Sequence, residues 1–282
     1  MSLDAASLAA DLRLSRKYRD LCTETLARVS RWAVSRGRSR SEAAERARRK
    51  LHQVYGAYLS QWNPAGAERL LAALAPGASE ATLRETCRRI LRMHTSTRER
   101  LGLMDQVYEA IFRRTGRPRR VLDLGCGLHP FAIPWMNLPA DTQYACWEID
   151  ERIVGLLNRF LPLTGREPLA CAHDLLATDP DQEADLVFLL KTLPCLEQQE
   201  KGCGEGILRK LRTPIVVMSF PAYSIGGREK GMRSTYAQWG ADLCIRLSWQ
   251  AETLHTANEV FLIAGTGQGG SPAPNDQTAQ GR

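Results

Sequence analysis

The chain has 282 residues, 44% of them hydrophobic and 24% charged, the make-up of a globular protein with room for one large domain or two modest ones. It contains no run of about 18 apolar residues to span a membrane as a helix, and its first twenty residues lack the apolar stretch of a secretory signal, so a cytoplasmic location is expected. The eight cysteines are scattered without a C-x-x-C pair, which leaves no zinc-site pattern and makes all eight expected free thiols.

The net charge of +7 is unevenly spread. Residues 1–120 hold 25 Lys and Arg against 12 Asp and Glu, whereas residues 121–282 hold 13 against 19. A basic first part beside an acidic second part points to a polyanionic partner for the first.

In chain order, residues 1–115 read as helical, since apolar residues recur at spacings of three and four. One helix is expected over Ser15 to Ser35, with Tyr18, Leu21, Cys22, Leu26, Val29 and Ala33 on one stripe. A second should start at Ser39 or Ser41 as N-cap and run to about Tyr58, carrying Arg46, Arg48, Arg49 and Lys50. Asn63-Pro64 and Pro76-Gly77 mark breaks, and two more helices are predicted near 79–92 and 97–114. After Pro118 the pattern changes to short apolar strands: VLDL at 121–124, then 143–147, 168–172, 184–190, 215–219, 243–249 and 259–264. Helical stretches separate most of them, as in a parallel sheet with crossover helices, and the last two lie close enough for an antiparallel edge pair. Residues 266–282 are Gly-, Pro- and polar-rich and are expected to form a disordered tail. The division is thus a helical, basic domain over 1–115 and an α/β domain over 116–265.

Val121-Leu122-Asp123-Leu124-Gly125-Cys126-Gly127 is a strand that stops at two glycines, where the backbone can approach a ligand closely. Glu148 ends the next strand, where a carboxylate can accept from both ribose hydroxyls, and Asp174-Leu175 follows the third, where an acid can accept from an adenine amino group. Two prolines in LHPFAIPW after Gly127 argue against the helix N-terminus that cradles a diphosphate. The spacing of DLGCG, WEID and HDLL resembles the Rossmann-like methyltransferases that bind S-adenosylmethionine, so the fold class is an α/β Rossmann-like methyltransferase sheet preceded by an all-helical N-terminal domain.

Longer segments carry a narrower resemblance. HTSTRERL (94–101), VLDLGCGLHP (121–130), HDLL (173–176), LLKTLPCLEQQ (189–199) and VVMSFPAYSIGGREKGM (216–232) are similar to the aminoglycoside-resistance 16S ribosomal RNA guanine-N7 methyltransferases, over roughly residues 50–265. The resemblance implies that Arg100 holds the methionine carboxylate of S-adenosylmethionine, with His94 and Ser96 near that end. It places Gly125 and Gly127 along the methionine portion, Glu148 at the ribose, Ile149 on one adenine face, and Asp174 with Leu175 at the adenine edge. Lys191 would stand where the methyl group emerges, and Phe220 would stack on the target guanine, with Tyr223 and Trp135 as rival rings. Ser224, Arg228, Lys230 and Arg233 would contact RNA on that side, and Arg46, Arg48, Arg49 and Lys50 would grip phosphates from the helical domain. The implied partner is 16S rRNA in the assembled 30S subunit, with no metal and no membrane. The product would be S-adenosyl-L-homocysteine, and the consequence resistance to gentamicin- and kanamycin-like drugs.

Plainer roles stand beside these. His94 reads more readily as a helix cap or packed ring, Lys191 equally as a solvated strand-end cation, and Phe220 also as core; Cys195 beside Pro194 suggests a nucleophile of the C5-methyltransferase kind, but the second catalytic cysteine context is lacking. Adenine-N1 methylation at the same ribosomal site, a small-molecule methyltransferase and a non-catalytic RNA-binding module are the competing functions.

Overall fold

The structure, a computed structural model, describes residues 4–56, 62–75, 77–221 and 232–268. It begins with α1 (Ala5–Leu14), α2 (Thr23–Val34) and α3 (Arg40–Leu51). Asp4 caps α1 by accepting from the Ala6 and Ser7 amides, and Ser39 caps α3 by accepting from that of Glu42. Of the single helix expected over 15–35 only Thr23–Val34 is helical, because the chain before it is pulled out of helical geometry to dock on the sheet. Leu21 forms an antiparallel bridge with Asp150, the Cys22 amide donates to the Ile149 carbonyl at 2.8 Å, and the Glu151 amide donates to the Asp20 carbonyl at 2.8 Å. Local propensity yields here to a tertiary hydrogen-bond pattern. These three helices share a core of their own in which Leu8, Leu12, Leu26 and Val29 meet Ala43, Ala47 and Leu51.

Next come α4 (Pro64–Ala72), α5 (Glu80–Leu91), the one-turn α6 (Thr95–Arg98) and α7 (Met104–Thr115). The helix expected over 97–114 is thus two helices separated by turns. Ile90, Leu91, Val107, Tyr108, Ile111 and Phe112 from this group pack in one cluster with Phe131, Phe160 and Phe188 from the sheet layer.

Among the described residues the sheet has seven strands: β1 (Arg120–Leu124), β2 (Gln143–Glu148), β3 (Ala170–Ala172), β4 (Leu186–Leu190), β5 (Ile215–Pro221), β6 (Gln250–His255) and β7 (Glu259–Gly265). Their order is β3-β2-β1-β4-β5-β7-β6. The first five are parallel, while β7 runs antiparallel to both β5 and β6. Strand order reverses beside β1, and the crevice outside the carboxyl ends of strands at such a reversal is where open α/β sheets bind ligands. Helices α8 (Glu151–Phe160), α9 (Thr192–Gln199), α10 (Cys203–Lys210) and α11 (Met232–Arg246) complete the fold.

The strand expected at 243–249 is instead the end of α11 and a turn, and the edge strand lies at 250–255. Leu243, Cys244 and Leu247 have helical spacing and are buried against Val216, Met218 and Leu262, and Ser248 then reverses the chain at φ +59°. The eight cysteines are free thiols, and Cys171 alone of them is exposed. No helix among the described residues is long and apolar enough to cross a membrane.

Candidate functional site

One cavity opens at the carboxyl ends of β1, β2 and β4. It is lined by all nine residues that the sequence nominated for the cofactor, His94, Ser96, Arg100, Gly125, Gly127, Glu148, Ile149, Asp174 and Leu175, together with Lys191. The glycine turn after β1 forms its floor. Gly125 and Gly127 have φ of +63° and +51°, a region that favours glycine, and a Cβ on Gly125 would lie 2.6 Å from Thr192 Cγ2. Thr192 fills that space itself and donates to the Leu124 carbonyl at 3.1 Å, tying α9 to the turn.

Glu148 ends β2. Its Oε2 accepts from the Gly127 amide at 2.8 Å, and its Oε1 accepts from the amides of Ile149 at 2.8 Å and Asp150 at 3.1 Å. Burial, followed by the Asp150 charge, pushes this carboxyl up to about 7 against those three donors. Oε2 keeps one lone pair for a ligand hydroxyl.

Arg100 is 4% exposed and turns its guanidinium onto Glu259 of β7, with Nε to Oε2 at 3.1 Å and Nη2 to Oε1 at 2.7 Å. Ser219 of β5 donates to the same carboxylate. Burial alone would raise the Glu259 carboxyl, but Arg100 and then Lys191 outweigh it and hold it below its ordinary value. Lys191 follows β4 in a left-handed conformation, φ +59°, which points its ammonium back to Glu99 Oε2 at 2.6 Å and the Ser96 carbonyl at 3.3 Å. It lies 3.9 Å from Glu259. His94 shares a 2.7 Å hydrogen bond between Nδ1 and Ser96 Oγ, and burial, then Lys191, lowers its pKa to about 4, so the ring is neutral.

At the other end Asp174 is already engaged. Its Oδ2 accepts from Thr25 Oγ1 at 2.8 Å and from Arg28, and its Oδ1 from the Leu176 amide at 2.9 Å. Arg28 also donates to Gln199 Oε1 at 2.9 Å, joining α2, the segment after β3 and α9. Arg28, Tyr55 and Trp62 from the N-terminal helices therefore line the cavity, as do Asp150 and His173. Arg28 was visible in the sequence only as one of many cations, and Glu259 only as the polar start of an apolar strand. Neither has a local motif, because each acts through a partner more than 140 positions away.

The RNA-side candidates divide. Phe220 is a correction: it is fully buried inside β5, opposite Val260 in the antiparallel ladder, with its ring edge-on to Trp239 at 5.7 Å between centroids. As a core ring it is not placed to stack on a base. Trp135 is buried too, beneath the guanidinium groups of Arg84 and Arg88. Tyr223, Ser224, Arg228 and Lys230 lie outside the described residues, and Arg233 stands in the first turn of α11. On α3, Arg46 pairs with Glu42 at 2.7 Å and Arg49 with Glu45 at 3.1 Å, while Arg48 is exposed. Lys50 turns inward, 5.0 Å from the Trp32 ring centre and bonded to the carbonyl of Gln199, a cavity-lining residue.

The model of the ribosomal RNA methyltransferase (FmrO) family matches residues 14–263, an extent that takes in both the helices and the sheet. The chain belongs to that family. Among its relatives, the 16S rRNA (guanine(1405)-N(7))-methyltransferase of Micromonospora rosea is 37% identical over 253 residues, covering 88% of this chain and 92% of the relative. The enzyme of the same name from Frankia casuarinae is 38% identical over 254 residues, 88% and 89% of the two chains. Of solved structures, the 16S rRNA methyltransferase RmtF in complex with S-adenosyl-L-homocysteine superposes with a TM-score of 0.79 at 32% identity, covering 94% of this chain and all of the other. The 16S rRNA methylase RmtB follows with 0.77 at 25% identity, covering 94% and 99%. The cavity of this FmrO-family chain suits the kind of ligand held by RmtF: a close-approach glycine turn, a carboxylate with a lone pair to spare, and a buried arginine.

Proposed function

We propose that the chain transfers a methyl group from S-adenosylmethionine to N7 of a guanine in the decoding site of 16S rRNA, position 1405 by the names of its relatives, within the 30S subunit. Aminoglycoside resistance is the consequence of that modification. The observation that carries this reading is the collection of Arg100, Gly125, Gly127, Glu148 and Lys191 around one cavity at the strand-order reversal.

The cofactor, when bound, supplies a methyl group already activated by its sulfonium charge. The chain's own residues hold and orient. Arg100 offers guanidinium N–H groups to a carboxylate, Glu148 Oε2 accepts from a ribose hydroxyl, and the Ile149 side chain flanks the adenine. Asp174 Oδ2, held by Thr25 and Arg28, fixes α2 against the segment after β3, while Oδ1 keeps a lone pair beside its bond to the Leu176 amide for the adenine amino group. Guanine N7 carries a free lone pair at neutral pH, so the reaction requires orientation rather than proton removal. The neutral, hydrogen-bonded His94 and the paired Lys191 fit a site built to position rather than to deprotonate.

The basic helices supply phosphate contacts that fix register. N7 lies in the deep, narrow groove of A-form RNA, so the base must be turned out to reach the cavity.

The test is incubation of 30S subunits with methyl-tritiated S-adenosylmethionine, followed by borohydride and aniline treatment and primer extension. Strand cleavage at a single guanine supports the reading. Label without cleavage points to adenine-N1 methylation, and absence of label from the RNA with folded protein overturns it.

A further inference from the structure

A carboxylate on α2 takes hold of the main chain that follows β3. Glu24 stands in the first turn of α2; its Oε2 accepts from the Asp174 amide at 2.8 Å, and its Oε1 lies 3.1 Å from His173 Nδ1. An ionised carboxylate only accepts, so the His173 proton on that side sits on Nδ1. Burial alone would raise the Glu24 carboxyl, but the Asp174 amide and then the His173 ring outweigh it and hold it below its ordinary value. The His173 ring also packs on Trp147 of β2, 4.4 Å between centroids.

The Asp174 amide takes this partner because the sheet no longer offers one. β3 is an edge strand, and its ladder with β2 ends where Ala172 meets Glu148. The His173 amide still reaches the Glu148 carbonyl at 3.2 Å, and the chain then turns, with the Ala177 and Thr178 amides donating to the Asp174 carbonyl at 2.8 and 2.9 Å. A main-chain amide at such a strand end needs an acceptor from elsewhere, and α2 brings it.

The same two turns of α2 also supply Thr25 and Arg28 to Asp174 Oδ2. One helix therefore grips Asp174 by its main chain and by one carboxylate oxygen. Oδ1 accepts from the Leu176 amide and has a second lone pair for the cavity that Asp174 lines. With the peptide and Oδ2 both held, the side chain has no torsional freedom left, and the direction of that lone pair is set. The start of α2 is tied in turn to the end of β2, since the Cys22 amide donates to the Ile149 carbonyl at 2.8 Å. A salt bridge that merely fastened a helix to the sheet would join side-chain ends; here one carboxylate oxygen goes to the amide beside the reading group.

We propose that Glu24 is a positioning residue for adenine recognition: by fixing the His173–Asp174 peptide it sets the direction in which Asp174 Oδ1 accepts from the adenine amino group. Base specificity at the cavity is then determined in part by the N-terminal helices. The proposal rests on the reading of the cavity as the cofactor site.

The test compares two ligands by titration calorimetry: S-adenosylhomocysteine and its purine-riboside counterpart, which lacks only the 6-amino group. The parent should prefer the adenine ligand about tenfold, the scale of one hydrogen bond to a charged group. Glu24→Ala should lose that preference by binding S-adenosylhomocysteine about tenfold more weakly and the purine ligand as the parent does. Glu24→Gln, which keeps an oxygen for the Asp174 amide, should retain the preference. Glu24→Asp, one methylene too short to reach both partners, should lose it, and this variant carries the test if Glu24→Ala does not fold. Equal weakening of both ligands, with the preference intact, makes Glu24 a structural tie and overturns the proposal, as does unchanged binding of both. A parent that binds the two ligands alike overturns it as well, since the amino group is then not read. If the parent binds neither ligand, the cofactor reading itself fails instead.

Discussion

Asp174 Oδ2 and Arg28 Nη2 stand 2.8 Å apart, joining the segment after β3 to helix α2 with both side chains largely buried. Removing one partner of such a pair strands the other's charge away from water, which costs about 3 kcal/mol. Arg28→Ala should therefore destabilise the protein by about that amount in urea unfolding and expose α1–α3 to limited proteolysis. Asp174→Ala should do the same and also weaken S-adenosylhomocysteine binding. If Asp174→Ala lowers ligand affinity while the N-terminal helices stay as protease-resistant as in the parent, the junction is not what Asp174 maintains.

Glu148 predicts a pH dependence of cofactor binding. Its proton and a ribose hydroxyl compete for the one lone pair left on Oε2, the other sites being taken by backbone amides. With the carboxyl raised to about 7, the protonated form prevails below that pH and the accepting carboxylate above it. Affinity for S-adenosylhomocysteine should rise from pH 6 to pH 8 and then level. Glu148→Gln should bind more weakly and lose the slope; a slope that survives in this variant belongs to another group. The raised value has a folding consequence of the same origin. Ionised Glu148 destabilises the folded state, so its stability contribution falls as pH climbs from the ordinary carboxyl range through about 7.

Gly125→Ala combines two faults, a left-handed backbone and a methyl group 2.6 Å from Thr192 Cγ2. The expected result is loss of measurable ligand binding with a melting temperature several degrees lower, about 1–3 kcal/mol of strain. Thr192→Ser removes the obstructing methyl but leaves the backbone strain. A double variant that binds as tightly as Thr192→Ser alone would show that the turn tolerates a side chain.

Reversing charge at Arg46, Arg48 and Arg49 should weaken 30S binding and flatten its salt dependence, by roughly one unit of log–log slope for each phosphate no longer neutralised. Arg46 and Arg49 share their charge with Glu42 and Glu45, so Arg48→Glu should cause the largest single loss in filter binding at low salt. Unchanged affinity in low-salt buffer would make this face of α3 mere solvated surface.

Much of the site was legible because it follows the strands. Gly125, Glu148, Asp174 and Lys191 each sit at a strand end that apolar runs announce, and a parallel sheet brings such ends together without further information. Illegible features were those imposed across the fold. The break at 15–21 depends on bonds to residues 149–151, and the end of α11 at 243–246 on apolar residues that suit a strand as well as a helix. Phe220 illustrates the limit: Ser-Phe-Pro after a strand reads as an exposed loop, but pairing with β7 prolongs β5 to Pro221 and carries the ring inside. Glu259 went unnoticed for the converse reason, since its importance lies wholly in facing Arg100 across the finished sheet.

The antiparallel insertion of β7 between β5 and β6 sets an order of events. During synthesis Arg100 and Lys191 leave the ribosome well ahead of residue 259, and until that carboxylate arrives the two cations have no shared counter-charge in the sheet. The carboxylate that faces both cations is therefore the last member of this cluster to be made.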